Sequence, residues 1–186
     1  IKAVADGETI VVKAGTYAVK ELEGLQHTGK AVTISAAEGE TVEINAVDYD
    51  IYLHDAKVTF NGITFLWGTT NYRGFKHANT MVYNNCTIKG KVFLYANSET
   101  FNDCTFIQEN VDYNVWTYGA QKTTFNRCTF NCKGKAVLVY NEGHAESAHN
   151  PELIVIDTRF DASGEKVEGK AAIEIDTSLM EGTTVT

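Results

Sequence analysis

The sequence predicts an all-β solenoid, and three observations carry that prediction. Short β-type runs (Ile10 to Val12, Val32 to Ile34, Val42 to Ile44, Leu153 to Ile156, Ile173 to Ile175) alternate with polar turns. No stretch longer than a turn or two keeps the i, i+3, i+4 apolar spacing of a helix. A six-residue block recurs as Phe60-Asn61-Gly62-Ile63-Thr64-Phe65, Tyr83-Asn84-Asn85-Cys86-Thr87-Ile88, Phe101-Asn102-Asp103-Cys104-Thr105-Phe106 and Phe125-Asn126-Arg127-Cys128-Thr129-Phe130. A worn copy, Ile156-Asp157-Thr158-Arg159-Phe160, reads as one residue short, and the blocks start 23, 18, 24 and 31 residues apart. A fixed unit joined by loops of unequal length is the signature of stacked coils.

Each block explains its own geometry. An aromatic and an Asn end one strand, a short turn follows, and Cys/Ile-Thr-Phe/Ile opens the next with period-2 alternation. Asn tolerates a left-handed backbone, so it is the expected site of the sharp turn. Asn61, Asn84, Asn102 and Asn126 would then stack one strand spacing apart, roughly 4.8 Å, and hydrogen-bond along the stack. This pattern resembles the asparagine ladder of the right-handed parallel β-helix in the pectin-lyase-like superfamily. The opening Ala5-Asp6-Gly7-Glu8-Thr9-Ile10-Val11-Val12-Lys13-Ala14-Gly15-Thr16-Tyr17 is similar to the first coil of that superfamily. The resemblance implies a single-stranded right-handed parallel β-helix of about six coils. It says little of activity, because many chemistries share the scaffold. Residues 1–186 read as a single β-helix domain, and the opening at Ile1, in mid-pattern, reads as a piece of a longer protein.

The four cysteines are expected to be free. Cys86, Cys104 and Cys128 hold one slot of three blocks, where Ile63 sits in the block before, so they face inward as small hydrophobes. Cys132, two residues after Phe130, points the same way. Stacked neighbours have near-parallel Cβ vectors, which a disulfide would strain. No Cys or His pair has metal-ligand spacing, and neither a metal nor a cofactor is expected.

Counting back six residues from the aromatic that opens each block exposes a third strand. One column reads His54, His77, Tyr95, Tyr118 (after a one-residue insertion) and Tyr140; the column two residues earlier reads Tyr52, Phe75, Phe93, Trp116 and Leu138. Between them lie Ile51, Gly74, Val92, Val115, Val137 and Leu53, Lys76, Leu94, Thr117, Val139. Alternation sends one pair of columns in and the other out. Inward rings would overfill a tube that already takes Phe60, Phe101, Phe125 and their neighbours. The aromatics are therefore expected outward, with Lys76 a misfit among the inward set and Gly74 beside it suggesting a bulge. Outward, they form an apolar patch larger than monomers normally expose. Either a loop covers it (residues 141–152 or 161–169) or it is a binding face.

Sixteen Lys and Arg against 24 Asp and Glu give a net charge of −8 and no basic footprint, which argues against a nucleic-acid partner. No apolar run reaches the roughly 18 residues of a membrane span, so no membrane insertion is expected in this segment. The resemblance implies catalysis on the outward face of the third strand. Calcium-dependent lyases need several carboxylates and a base there, and this chain has rings. The stretch from Tyr83 to Phe106 is similar to pectin methylesterases, whose catalytic Asp follows Gly-x-Val; here Phe93 follows Val92. Asp112, Asp50 and Asp55 are the nearest carboxylates, and lone ones at strand ends are commonly solvated. His54 and His77 could serve as acid-base groups, but no carboxylate accompanies them in the columns. The expectation is a non-catalytic module of a secreted or cell-surface bacterial protein. It would bind a glycan or a host or partner protein through Tyr52, His54, Phe75, His77, Phe93, Tyr95, Trp116, Tyr118 and Tyr140. The alternatives are a polysaccharide-active enzyme and a structural spacer. Uncapped coil ends would also favour end-to-end self-association.

Overall fold

A computed structural model describes residues 1, 3–47, 49–118, 122–140, 152–161 and 171–176. Within them the chain winds as a right-handed parallel β-helix, each coil after the first laying one strand on each of three faces. The first sheet stacks seven parallel strands: Thr9–Val12, Ala31–Ala36, Lys57–Asn61, Thr80–Asn84, Ser98–Asn102, Lys122–Asn126 and Glu152–Ile156. The second also has seven, Gly15–Ala18, Val42–Asn45, Ile63–Leu66, Thr87–Lys89, Thr105–Gln108, Thr129–Cys132 and Arg159–Asp161, against the about six coils expected. The third face carries Ile51–Tyr52 paired with Phe75–Lys76, then the four-stranded run Val92–Phe93, Tyr113–Tyr118, Lys135–Tyr140 and Ile173–Asp176. In the first coil a 3-10 helix, Val19–Leu25, takes this face and buries Val19, Leu22 and Leu25.

The repeated block is the corner between the first two sheets. Phe60, Tyr83, Phe101 and Phe125 lie in register, as do Phe65, Ile88, Phe106, Phe130 and Phe160. Both columns point into the tube. Tyr83 stacks on Phe101 at 4.4 Å and Phe106 on Phe130 at 4.3 Å, while Phe101 meets Phe106 edge to face at 5.1 Å. Such pairs add roughly 0.5–1.5 kcal/mol to the burial of the rings themselves.

At the corner the Asn side chains form a continuous ladder. Asn84 Nδ2 donates to Asn61 Oδ1 at 2.8 Å, Asn102 to Asn84 at 2.9 Å and Asn126 to Asn102 at 3.2 Å. Ser35 Oγ accepts from Asn61 at one end, and Arg127 donates to Asn126 Oδ1 at the other. The left-handed residue is the one after the ladder Asn: Gly62, Asn85, Asp103, Arg127 and Asp157 have φ between 47° and 67°. The turn therefore does not need Asn at the ladder position, which is kept for its side-chain amide. The worn block is also full length. Phe125 pairs with Val155 and Asn126 with Ile156, so Ile156 replaces the ladder Asn and Thr158 replaces the Cys. Thr158 Oγ1 donates to the Phe125 and Ile156 carbonyls, as the Cys128 thiol does to Phe101 and Asn126. Cys86, Cys104, Cys128 and Cys132 are free and buried.

Candidate functional site

The third face separates aliphatic from aromatic side chains by strand alternation. Ile51, Leu53, Val92, Leu94, Val115, Thr117, Val137 and Val139 are buried. Phe93, Tyr95, Trp116 and Tyr140 take the other side and are half-buried, while Tyr52 is 43 % exposed. The side chain of Tyr118 lies outside the described residues. So do residues 141–151 and 162–169 of the proposed covering loops.

One coil departs from the expected phase. Ile51 pairs with Phe75 and Tyr52 with Lys76, and a bridge pairs Lys76 with Tyr95. Phe75 is consequently inward and buried, packed on Phe60 and Trp67, and Lys76 is outward. The cause is a link one residue shorter: Met81 lies five positions after Lys76, whereas Val58 lies six after Tyr52, and Val58 pairs with Met81. Phe75 therefore belongs to the core, and the apparent misfit of Lys76 disappears. Gly74 lies opposite Phe93, where a Cβ would come within 2.0 Å of the Phe93 carbonyl oxygen.

Tyr72, two residues before that glycine, lies flat on Phe93 at 4.8 Å and meets Trp116 edge-on at 4.8 Å. Trp116 meets Tyr140 at 5.4 Å. Part of the aromatic row is thus covered by a ring of its own face. Around the row, cations are held by carboxylates and lie over rings. Lys76 Nζ is 3.1 Å from Asp50, which also accepts from the Gly74 amide and lies 3.7 Å from Arg73. The same ammonium sits 5.4 Å from the Tyr52 centroid and 5.0 Å from that of Tyr95. Lys91 pairs with Asp112 and lies over the Tyr72 ring. Burial pushes the Asp112 carboxyl up, but hydrogen bonds from Lys91, the Tyr113 amide and Tyr72 outweigh it and hold it below the usual range. Burial and Asp112 together push the Tyr72 hydroxyl well up, so it stays a neutral donor. Asp50 and Asp112 are therefore bound within the face rather than solvated singly.

His54 and His77 do not continue the column of Tyr95 and Tyr140. They lie at the corner leading to the first sheet, stacked on each other at 4.8 Å and on the Tyr52 ring. Glu99 is a group that the column count overlooks. It is 1 % exposed, and its Oε1 accepts from the Tyr95 and Ala96 amides at 2.9 and 3.1 Å. Tyr83 donates to its Oε2 at 3.4 Å. Those bonds fix the chain directly after Tyr95. Strict alternation from the inward Phe101 points to this place, because Ser98-Glu99-Thr100-Phe101 puts Glu99 and Phe101 on one side.

Concavities among the described residues lie elsewhere, a shallow one beside Thr33, Thr59 and Val82 on the first sheet and another at the Ile1 end beside Val12, Tyr17 and Leu22. The third face is a platform, suited to stacking rather than enclosure. Among the described residues no group of three or more His, Cys, Asp or Glu is placed to hold a metal ion. No helix among the described residues is long and apolar enough to cross a membrane. No family model, curated protein or solved structure matches the chain.

Proposed function

We propose that the chain is a non-catalytic binding module of a secreted or cell-surface protein, related to the pectin-lyase-like superfamily, whose third face takes a neutral glycan. The observation that carries this reading is the outward row Tyr52, Tyr95, Phe93, Trp116 and Tyr140 on a rigid sheet. Ring faces and edges grip the apolar side of a sugar, and hydroxyls and carbonyls meet its polar rim. Neutrality follows from the charges beside the row. Lys76 and Arg73 share Asp50, and Lys91 holds Asp112, so an anionic ligand would have to displace a carboxylate already in place. The net charge of −8 opposes a polyanion further.

An array of neutral and acidic oligosaccharides tests the reading. Binding to neutral glycans is expected, nearly independent of salt, and weakened by about 1–3 kcal/mol in Tyr95→Ala. Silence on every glycan together with capture of a protein partner would move the face to protein recognition, where Tyr and Trp also dominate. Release of cleaved or de-esterified product would make the chain an enzyme.

A further inference from the structure

The corner beside the platform carries a column of three imidazoles. His27 and His54 stack at 4.6 Å and 6°, and His54 and His77 at 4.8 Å and 9°. Backbone bonds fix the column: the His27 amide donates to the His54 carbonyl at 2.9 Å, and the Asp55 amide to that of His77 at 3.2 Å. Tyr52, the most exposed ring of the row, lies 5.8 Å from both His54 and His77. The column and the binding face are therefore one continuous surface.

Of the described residues, Tyr52 and Tyr95 border it, Lys76 lies between those two rings with its charge held by Asp50, and Asp55 follows His54 in the chain; the uncharged Gln26 Nε2 is 3.4 Å from His27 Nε2. Among the described residues no carboxylate forms an ion pair with any of the three rings. Neutral imidazoles stack favourably at this spacing, but imidazolium rings this close repel, and no described carboxylate is ion-paired with the rings to offset the repulsion. Burial, then His54 and Lys76, lower the proton affinity of His77. Protonating the stacked rings therefore brings like charges face to face, and acid favours any state in which they have moved apart.

We infer that the His27, His54 and His77 column is an acid-operated release for the platform: neutral, it backs the Tyr52 ring against the binding face; protonated, it splays and withdraws that support. The inference rests on the reading of the face as a glycan site. In linkage terms the ligand-competent state binds fewer protons, so affinity falls as pH drops through the histidine range.

Two measurements on the full chain test it. In a ring-proton NMR titration without ligand, His77, which burial and the neighbouring His54 and Lys76 disfavour as a cation, is expected to titrate below the ordinary histidine value, with the Tyr52 ring signals moving in step. Three independent titrations near the ordinary value, with Tyr52 unmoved, would overturn the inference. In the second, affinity for cellohexaose is compared at pH 7.5 and 5.0. Wild type is expected to lose about tenfold on acidification, and His27→Phe, which keeps a ring in the stack but removes one charge, about threefold or less, since each tenfold corresponds to about 1.4 kcal/mol of repulsion. Equal losses in both proteins would also overturn it. If cellohexaose fails to bind at pH 7.5, the reading of the face as a site for such a glucan fails, and the ring titration alone decides whether the column is a switch.

Discussion

Glu99 holds a carboxyl group inside the solenoid with only two amides and a phenol for company, and that environment decides its protonation. Burial pushes it up to about 8 from an ordinary 4.5, against the lowering effect of its hydrogen bonds. The unfolded chain gives up this proton near 4.5, while the folded chain keeps it until about 8. Stability from this group is therefore complete below the lower value and declines between the two, by about 1.4 kcal/mol per pH unit, with no further loss above. Replacing Glu99 by Gln keeps an oxygen for the Tyr95 and Ala96 amides and removes the titration. Denaturant melts at pH 5, 7 and 9 should fall steadily for wild type and less for the variant. Parallel curves would place the carboxyl in water. At the same scale, Asn102→Ala removes two ladder bonds, one to Asn84 and one from Asn126. The ladder is half-buried, so a loss of about 1–2 kcal/mol is expected. An unchanged melting temperature would mean that water replaces both bonds at no cost.

The strand Phe75–Lys76 shows how an element's length sets its neighbours' chemistry. One residue fewer in the link to the first sheet turns Phe75 inward and sends Lys76 out between Tyr52 and Tyr95. Gly74 permits that path, because any side chain there would strike the Phe93 carbonyl. Gly74→Ala should cost about 1–3 kcal/mol or more, and should also disturb the seat of Tyr72 on Phe93. A near-neutral melt with unchanged Tyr72 ring shifts would show that the backbone yields easily at this point. The column of Phe93 and Trp116 was legible from alternation within one strand. The covering by Tyr72 was not, because Tyr72 comes from an irregular segment with no period to read.

Across the whole molecule the four thiols report on integrity. Cys86, Cys104, Cys128 and Cys132 are free and buried, and burial pushes the Cys132 thiol up to about 12. Few thiolates are exposed to reagent while the coils stay stacked. A thiol reagent should therefore label none of the four in native buffer and all four in concentrated guanidinium. Labelling rates at intermediate denaturant should follow unfolding. Rapid native labelling of one cysteine would mark a coil that opens independently, as stacked repeats can.

The sequence by itself determined the solenoid, the asparagine ladder, the inward thiols and the outward side of Phe93, Tyr95, Trp116 and Tyr140. All of these depend on side-chain alternation and on a block repeated in place, which are local properties of a strand. Tyr52 falls in the column of Tyr95 and not in that of Phe93, where alternation alone put it. The tertiary structure alone decided that Phe75 is core, that His27 completes a stack with His54 and His77, and that Lys91 and Asp112 pair beneath Tyr72. Those contacts join residues a full coil or more apart. Their partners depend on the length of each coil, and a link changed by one residue moves every side chain of a strand to its other face.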